Sequence, residues 1–326
     1  MIGKKFLIAG GAGFIGSHLV KRLLRIDDIN EVTVLDNFSS GSLQNLAGLG
    51  RTRRLRIHEC DITNRLPEVG EMDVILHLAA CANPTDYEKR PVETLLVNSR
   101  GNENLLALAQ RSGARYVYFS SSEVYGNRNP MPPLGLREQD ECRIAPGQPR
   151  SCYPIGKMFG EEVVRSVSNR MSLDYLIVRP FNVYGPNMDP NTKYGRVIPN
   201  FIKWARSGLP LKVNGDGTQE RSFCHIDDFI DCMISLLERP FPPERIVNIG
   251  NPEPVSILTL AFLVNEVVGN RSGITFAERY PFEPQYRTPN IDRVKKWTGW
   301  RPRISLLKGL EMVVNGPLNE QAEVVI

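Results

Sequence analysis

The chain has 326 residues, enough for a large core and two lobes, and its 41% hydrophobic and 23% charged residues are ordinary for a globular protein. Its 40 Lys and Arg against 36 Asp and Glu leave a net charge of +4, too small and too scattered to indicate a nucleic-acid partner. No apolar run reaches the roughly 18 residues of a membrane span and no signal-peptide pattern opens the chain, so a cytosolic protein without membrane contact is expected.

The first apolar run, Phe6–Ala9, predicts a strand and leads into the segment GGAGFIGSHL. There Gly10, Gly13 and Gly16 recur at the mouth of an expected helix over Phe14–Leu24. Glycine lets a backbone turn sharply and approach a ligand closely, and Phe14 and Ile15 open the helix, whose N–H groups and positive dipole end suit a phosphate. The same pattern also suits a tight turn that binds nothing. Asp36 favours the first reading. It ends the run Val32–Leu35, 20 positions beyond Gly16, where a dinucleotide-binding unit places a carboxylate on the ribose hydroxyls. That carboxylate repels a 2′-phosphate, and Asn37 follows rather than a basic residue, so NAD is favoured over NADP. Asp61 and Ile62, after Leu55–Ile57, suit either the adenine or a solvated strand end.

Further strand-like runs at Val74–Leu78, Tyr116–Phe119 and Leu176–Val178 alternate with helical patterns over Val92–Ala109 and Phe159–Val167. Such alternation implies right-handed crossovers and a parallel sheet covered on both faces, with ligands at the carboxyl ends of its strands. Pro180–Pro190 is rich in turn formers and reads as a long loop. Helices are expected at Val197–Arg206, Ile226–Leu237, Ile257–Val268 and Ile291–Trp297, and a strand at Ile246–Ile249. The expected fold is α/β: a doubly wound parallel sheet (Rossmann) over residues 1–180 and a smaller mixed α/β substrate lobe over 181–316, with elements near 225–250 packing back onto the sheet. The substrate cleft is expected at the seam, and the tail 317–326 has no pattern.

The stretch SSSEVYG follows the run Tyr116–Phe119, so Ser121, Ser122 and Glu123 belong to the cleft floor. Tyr153 and Lys157, in YPIGK, are four residues apart and share one helix face. A nearby ammonium and a positive nicotinamide ring are expected to lower the phenol pKa, so that Tyr153 takes the proton of a sugar hydroxyl while the hydride leaves for NAD. Arg221 suits a phosphate, since guanidinium binds it bidentately. Asn182 is expected at the diphosphate, and Arg196, Val197 and Lys212 are further substrate candidates. The 6 cysteines show no CxxC spacing and the 4 histidines are far apart, so neither a disulfide framework nor a metal site is expected. Cys152 is read as packing.

Together, the glycine pattern, Ser120–Glu123 and Tyr153-x-x-x-Lys157 resemble the extended short-chain dehydrogenase/reductase superfamily, whose members rework nucleotide sugars. FNVYGP (Phe181–Pro186), GRVIPNF (Gly195–Phe201), NGDGTQERSFCHIDD (Asn214–Asp228) and VNIGNPE (Val247–Glu253) extend the likeness over roughly residues 5–315. Within it, PRSCY, NPTDYEKRP (Asn83–Pro91) and YRTPNIDRVKKWTGW (Tyr286–Trp300) are most similar to UDP-glucuronate decarboxylases. Two positions depart from that family: Pro154 stands where an acid is usual, and an ASPP-like loop reads ANPT at Ala82–Thr85.

The resemblance implies bound NAD, a UDP-sugar substrate and a homodimer built from the helices over Val92–Ala109 and Phe159–Val167. It implies that Ser121 bonds the 4-hydroxyl while Glu123 and Arg287 act around C5 and C6. The implied reaction converts UDP-glucuronate to UDP-xylose through a 4-keto sugar, with NAD regenerated. Two alternatives share the scaffold. A UDP-uronic acid 4-epimerase usually has a small residue where Glu123 stands, and a nucleotide-sugar 4,6-dehydratase usually has aspartate where Ser122 stands. A non-catalytic NAD-sensing protein is a third, although such proteins often lose the tyrosine–lysine pair.

Overall fold

A computed structural model describes residues 3–49, 52–127, 132–148, 150–188, 196–279 and 283–316. The chain opens with β1 (Lys4–Ala9), α1 (Phe14–Leu24), β2 (Ile29–Asp36), β3 (Leu55–Glu59) and β4 (Val74–His77). Next come α2 (Pro84–Lys89), α3 (Pro91–Asn98), α4 (Arg100–Ser112), β5 (Arg115–Phe119), α5 (Cys152–Met171) and β6 (Tyr175–Pro180). Beyond Pro180 lie β7 (Val183–Tyr184), α6 (Val197–Arg206), β8 (Leu211–Asn214), β9 (Glu220–Ser222), β10 (Cys224–His225), α7 (Ile226–Leu237) and β11 (Ile246–Ile249). The last elements are β12 (Pro254–Ser256), α8 (Ile257–Val268), β13 (Ile274–Ala277), β14 (Tyr286–Arg287), α9 (Asp292–Thr298) and α10 (Leu306–Asn315).

β1 is a run of apolar side chains because a central parallel strand is covered on both faces. Phe6 and Ile8 pack against Leu19 and Leu23 of α1 and Phe229 of α7, whereas Leu7 and Ala9 join Leu105 and Leu106 of α4 and Val164 of α5. Each of the Phe, Ile, Leu and Val side chains among these, fully buried, stabilises the fold by about 1.5–3 kcal/mol. Among the described residues the sheet has 7 strands in the order β11-β6-β5-β4-β1-β2-β3, every pair parallel. It is a doubly wound Rossmann-type sheet, and the order reverses beside β1, which puts a crevice over the carboxyl ends of β1 and β4.

The chain after Pro180 divides between two places. α7 packs on the large sheet and β11 extends it beyond β6. α6, α8, α10 and β8 form a separate apolar core around Phe201, Leu260, Leu310 and Val213. β9 links this second core to the site: it pairs antiparallel with β12 and parallel with β14, which sets Arg287 beside Arg221.

Two expectations need correction. The helix expected over Val92–Ala109 is two helices, broken at Ser99, where φ is −104° and ψ is −85°. There Asn98 and Ser99 turn their side chains back onto the carbonyls of Thr94 and Leu95 at 2.8 and 3.0 Å, competing with the main-chain ladder. The segment after Pro180 is not loop throughout, because Val183–Tyr184 pairs with Cys224–His225. An additional short helix, Pro84–Lys89, is started by Pro84 and capped by the Asn83 side chain. Residues 189–190 of the expected loop and the tail 317–326 lie outside the described residues.

Candidate active site

The cofactor half begins where β1 runs into α1. Gly10 has φ +81°, a conformation that disfavours a side chain, and a Cβ on Gly16 would come within 2.1 Å of the Gly10 carbonyl oxygen. Only glycine lets the helix start so close to the strand end. Among the described residues no side chain caps α1, and no acid occupies its first turn, so the N–H groups of Phe14, Ile15 and Gly16 and the positive dipole end are left for an anion.

Asp36, at the end of β2, is buried, and burial pushes its carboxyl above the usual range. Main-chain N–H groups of Ala12 and Phe38, each donating at 2.9 Å, offset part of that. Burial also raises Asp61, but hydrogen bonds from Thr63 and from Asn37 outweigh it and hold this carboxyl below its ordinary value. Gly10, Gly13, Phe14, Ile15, Gly16, Asp36, Asn37, Asp61 and Ile62 all line one cleft of about 820 Å³. A dinucleotide fits this set, because the uncapped helix end receives a diphosphate and Asp36 and Asp61 supply acceptors beside it.

Ser121, Tyr153, Lys157 and Arg196 line the same cleft. Ser121 caps the short 3-10 turn over Ser122–Tyr125 by accepting the Glu123 N–H at 3.1 Å, and it hydrogen-bonds the Tyr153 phenol. Ser122 is buried behind it. Lys157 donates to the Phe119 carbonyl at 2.7 Å, and its nitrogen lies 6.0 Å from the Tyr153 ring centre. Burial takes its ammonium down to about 7. The lowering expected for the phenol is reversed in the protein alone. Burial, and then the Glu123 charge, push Tyr153 well above the ordinary tyrosine value, and the Ser121 bond recovers only part.

Glu123 and Arg287 form an ion pair at 3.9 Å beside the cleft. Arg287 is buried; one of its nitrogens reaches the Gly126 carbonyl at 3.4 Å, while Nε is buried with no hydrogen-bond partner among the described residues. Its strand neighbour Arg221 is buried too and pairs with Glu283 at 3.0 Å. Burial, and then the charge of Arg287, lower Arg221 to about 10. The two guanidiniums lie side by side, each paired with one acid, and a guanidinium is suited to bidentate contact with a carboxylate or a phosphate.

The remaining candidates stand apart from this grouping. Asn182, with φ +34°, gives its side-chain amide to the Ser222 carbonyl at 2.9 Å. Val197 opens α6 next to Arg196. Lys212 is exposed on β8 and is not part of the cleft lining. Cys152 packs with Cys81, Tyr87 and Tyr153. Among the described residues all 6 cysteines are free and no cluster of metal-binding side chains occurs.

Some site residues escaped sequence reasoning. His77 ends β4, the kind of place where a strand-end rule directs attention; its ring bonds the Val97 carbonyl at 3.1 Å, and burial, then the Lys157 charge, lower it to about 3. Beneath Ser120, Glu161 accepts the serine hydroxyl at 2.5 Å and two nitrogens of Arg179 at 2.8 and 2.7 Å, all buried. Tyr87 lies against Tyr153, and only the helix-start signal of Asn83-Pro84 precedes it in the sequence.

Residues 6–250 match the NAD dependent epimerase/dehydratase family. UDP-glucuronic acid decarboxylase 3 of Arabidopsis thaliana is 39% identical over 312 residues, covering 95% of this chain and 87% of the relative. A UDP-N-acetylglucosamine 4-epimerase of Methanobrevibacter ruminantium, solved with UDP-N-acetylmuramic acid, superposes with a TM-score of 0.86 at 27% identity, covering 97% of this chain and 98% of the other. The UDP-glucuronic acid 4-epimerase of Bacillus cereus, solved with UDP-glucuronic acid and NAD, gives a TM-score of 0.84 at 28% identity, covering 95% and 98%. The cofactor is NAD, and this chain is an enzyme of the NAD dependent epimerase/dehydratase family.

Proposed function

We propose that the enzyme decarboxylates UDP-glucuronate to UDP-xylose through a UDP-4-keto sugar and returns its cofactor to the starting state in each turnover. The observation that carries this reading is the Glu123–Arg287 pair next to Tyr153, with the buried Arg287 Nε unpartnered among the described residues. A guanidinium with a donor to spare is suited to a carboxylate. Relatives named UDP-glucuronic acid decarboxylase support the same substrate.

Gly10, Gly13, Gly16, Asp36 and Asp61 would hold NAD, which would supply a hydride acceptor, and afterwards a hydride donor, for C4. Tyr153 takes the C4 hydroxyl proton, with Ser121 orienting that hydroxyl. Lys157 supplies positive charge to the helix face on which the phenolate forms. A ketone at C4 is β to the C6 carboxylate, so carbon dioxide leaves with its electrons held as an enolate. Arg287 holds the carboxylate before it is lost, and Glu123, or a water it positions, handles the C5 proton. Arg221 takes a phosphate oxygen, with Asn182, Arg196 and Val197 along the nucleotide, whereas the exposed Lys212 has no part in the reading. Residues 1–180 then carry the cofactor and 181–316 mainly the sugar nucleotide.

A homodimer completes the reading. α3 and α5 pack together and leave Val92, Leu95 and Phe159 exposed, an apolar face of the kind that pairs with a copy of itself.

Glu123→Gln and Arg287→Ala test the assignment. At saturating UDP-glucuronate each variant still reduces its NAD on mixing, while pentose formation falls by about 10²-fold or more, the scale on which positioned acid–base groups act. Unchanged pentose formation in both would overturn it. A UDP-uronic acid 4-epimerase is the second reading, favoured by likeness to the Bacillus cereus enzyme solved with UDP-glucuronic acid.

A further inference from the structure

The ring of Tyr87 lies over that of Tyr153, with centroids 5.1 Å apart and planes only 15° from parallel. Tyr87 is buried on α2. Beside the stacked rings, the Cys152 thiol donates to the Tyr87 carbonyl at 3.5 Å and Arg150 pairs with Glu88 at 2.6 Å. The far end of α2 is fixed by Asn83, whose side chain accepts the Thr85 N–H at 3.2 Å.

We propose that Tyr87 is a positioning residue for Tyr153, its ring forming the wall that fixes the plane of the phenol beside Ser121. The terminal torsion of a tyrosine is broad, so a ring is free to tilt unless its neighbours prevent it. Parallel stacking favours one plane and covers one face of the ring against water. A displacement of about 1 Å at a reacting group lowers the rate by about 10²-fold. The proposal rests on Tyr153 being the base for the C4 hydroxyl.

The same wall contributes to the environment in which Tyr153 ionises. Glu123, Arg196 and Cys81 act on the phenol through space, Ser121 bonds it, and Lys157 and Tyr118 face it from beneath. Removing the Tyr87 ring admits water to one face and relieves part of the burial that raises Tyr153.

The test compares the wild-type holoenzyme with Tyr87→Phe, Tyr87→Leu and Tyr87→Met. The reporter is single-turnover reduction of bound NAD by UDP-glucuronate, UDP-xylose or UDP-glucose, whichever the wild type oxidises fastest. That step precedes any loss of carbon dioxide, so the result stands apart from the decarboxylase reading. UDP affinity, measured by calorimetry, reports an intact site. Tyr87→Phe is expected within about threefold of wild type with the same pH profile. The Leu and Met variants are expected about 10- to 100-fold slower with unchanged UDP affinity, and the acid limb of their pH–rate profile moves to lower pH. Wild-type rate and pH profile in either ringless variant would overturn the proposal. Equal impairment of Phe and Leu would also overturn it, because the hydroxyl rather than the ring would then be responsible.

Discussion

Lys157 gives its ammonium to the main-chain carbonyl of Phe119 at 2.7 Å, tying α5 to the last residue of β5. Because burial takes this lysine down to about 7, the folded chain releases its proton while the unfolded chain, near 10.4, still holds it. Stability rises with pH wherever the unfolded state binds more protons. The full burden of the buried charge is therefore present below pH 7 and is relieved between about pH 7 and 10. The stability of cofactor-free wild type relative to Lys157→Met is expected to rise across that window, on the order of 1 kcal/mol per pH unit. Unfolding midpoints at several pH values check this, and a difference that stays flat would contradict it.

Asp36 turns a buried carboxylate toward the place where the dinucleotide fits. NAD is expected to bind at least about tenfold more tightly than NADP, and Asp36→Asn, which keeps an acceptor but loses the charge, narrows that gap. Equal affinities of the wild-type protein for the two cofactors, measured by calorimetry, would refute the role.

Tyr153→Phe keeps the ring that stacks on Tyr87 and removes the oxygen that meets Ser121. UDP is expected to bind as before, while reduction of bound NAD by UDP-glucuronate slows by about 10²- to 10⁴-fold. Near-normal reduction would mean that another group takes the C4 proton.

The buried Arg179–Glu161 pair holds the floor beneath Ser120. Arg179→Met leaves Glu161 buried without its cation and is expected to destabilise the protein by about 3–5 kcal/mol. Adding Glu161→Leu should recover much of the loss, since no unpaired charge then remains. A double variant as unstable as the single one, in the same denaturant series, would show that packing rather than charge controls this layer.

Much of the fold is legible in the chain because its elements are strongly periodic. The helices Val197–Arg206, Ile226–Leu237 and Ile257–Val268 run from cap to cap as their patterns imply. The break at Ser99 leaves only a weak mark in the chain, the polar run Asn98–Asn104, and side-chain hydrogen bonds onto Thr94 and Leu95 are what interrupt the helix there. The cofactor glycines and Asp36 are legible because one βαβ unit brings them together locally. The meeting of Arg221 with Arg287 is not, because it depends on pairing two short strands far apart in the chain. The sign of the Tyr153 shift was also hidden: spacing announces the lysine, but burial and Glu123, which dominate, appear only once the chain is folded.

The most direct measurement is mass spectrometry of the sugar nucleotide formed from UDP-glucuronate labelled with carbon-13 at C6, with the released gas collected. The expected result is UDP-xylose without the label, labelled carbon dioxide in equal amount, and no net accumulation of reduced cofactor. UDP-galacturonate that keeps the label, with no labelled carbon dioxide, would contradict decarboxylation and establish the epimerase reading instead.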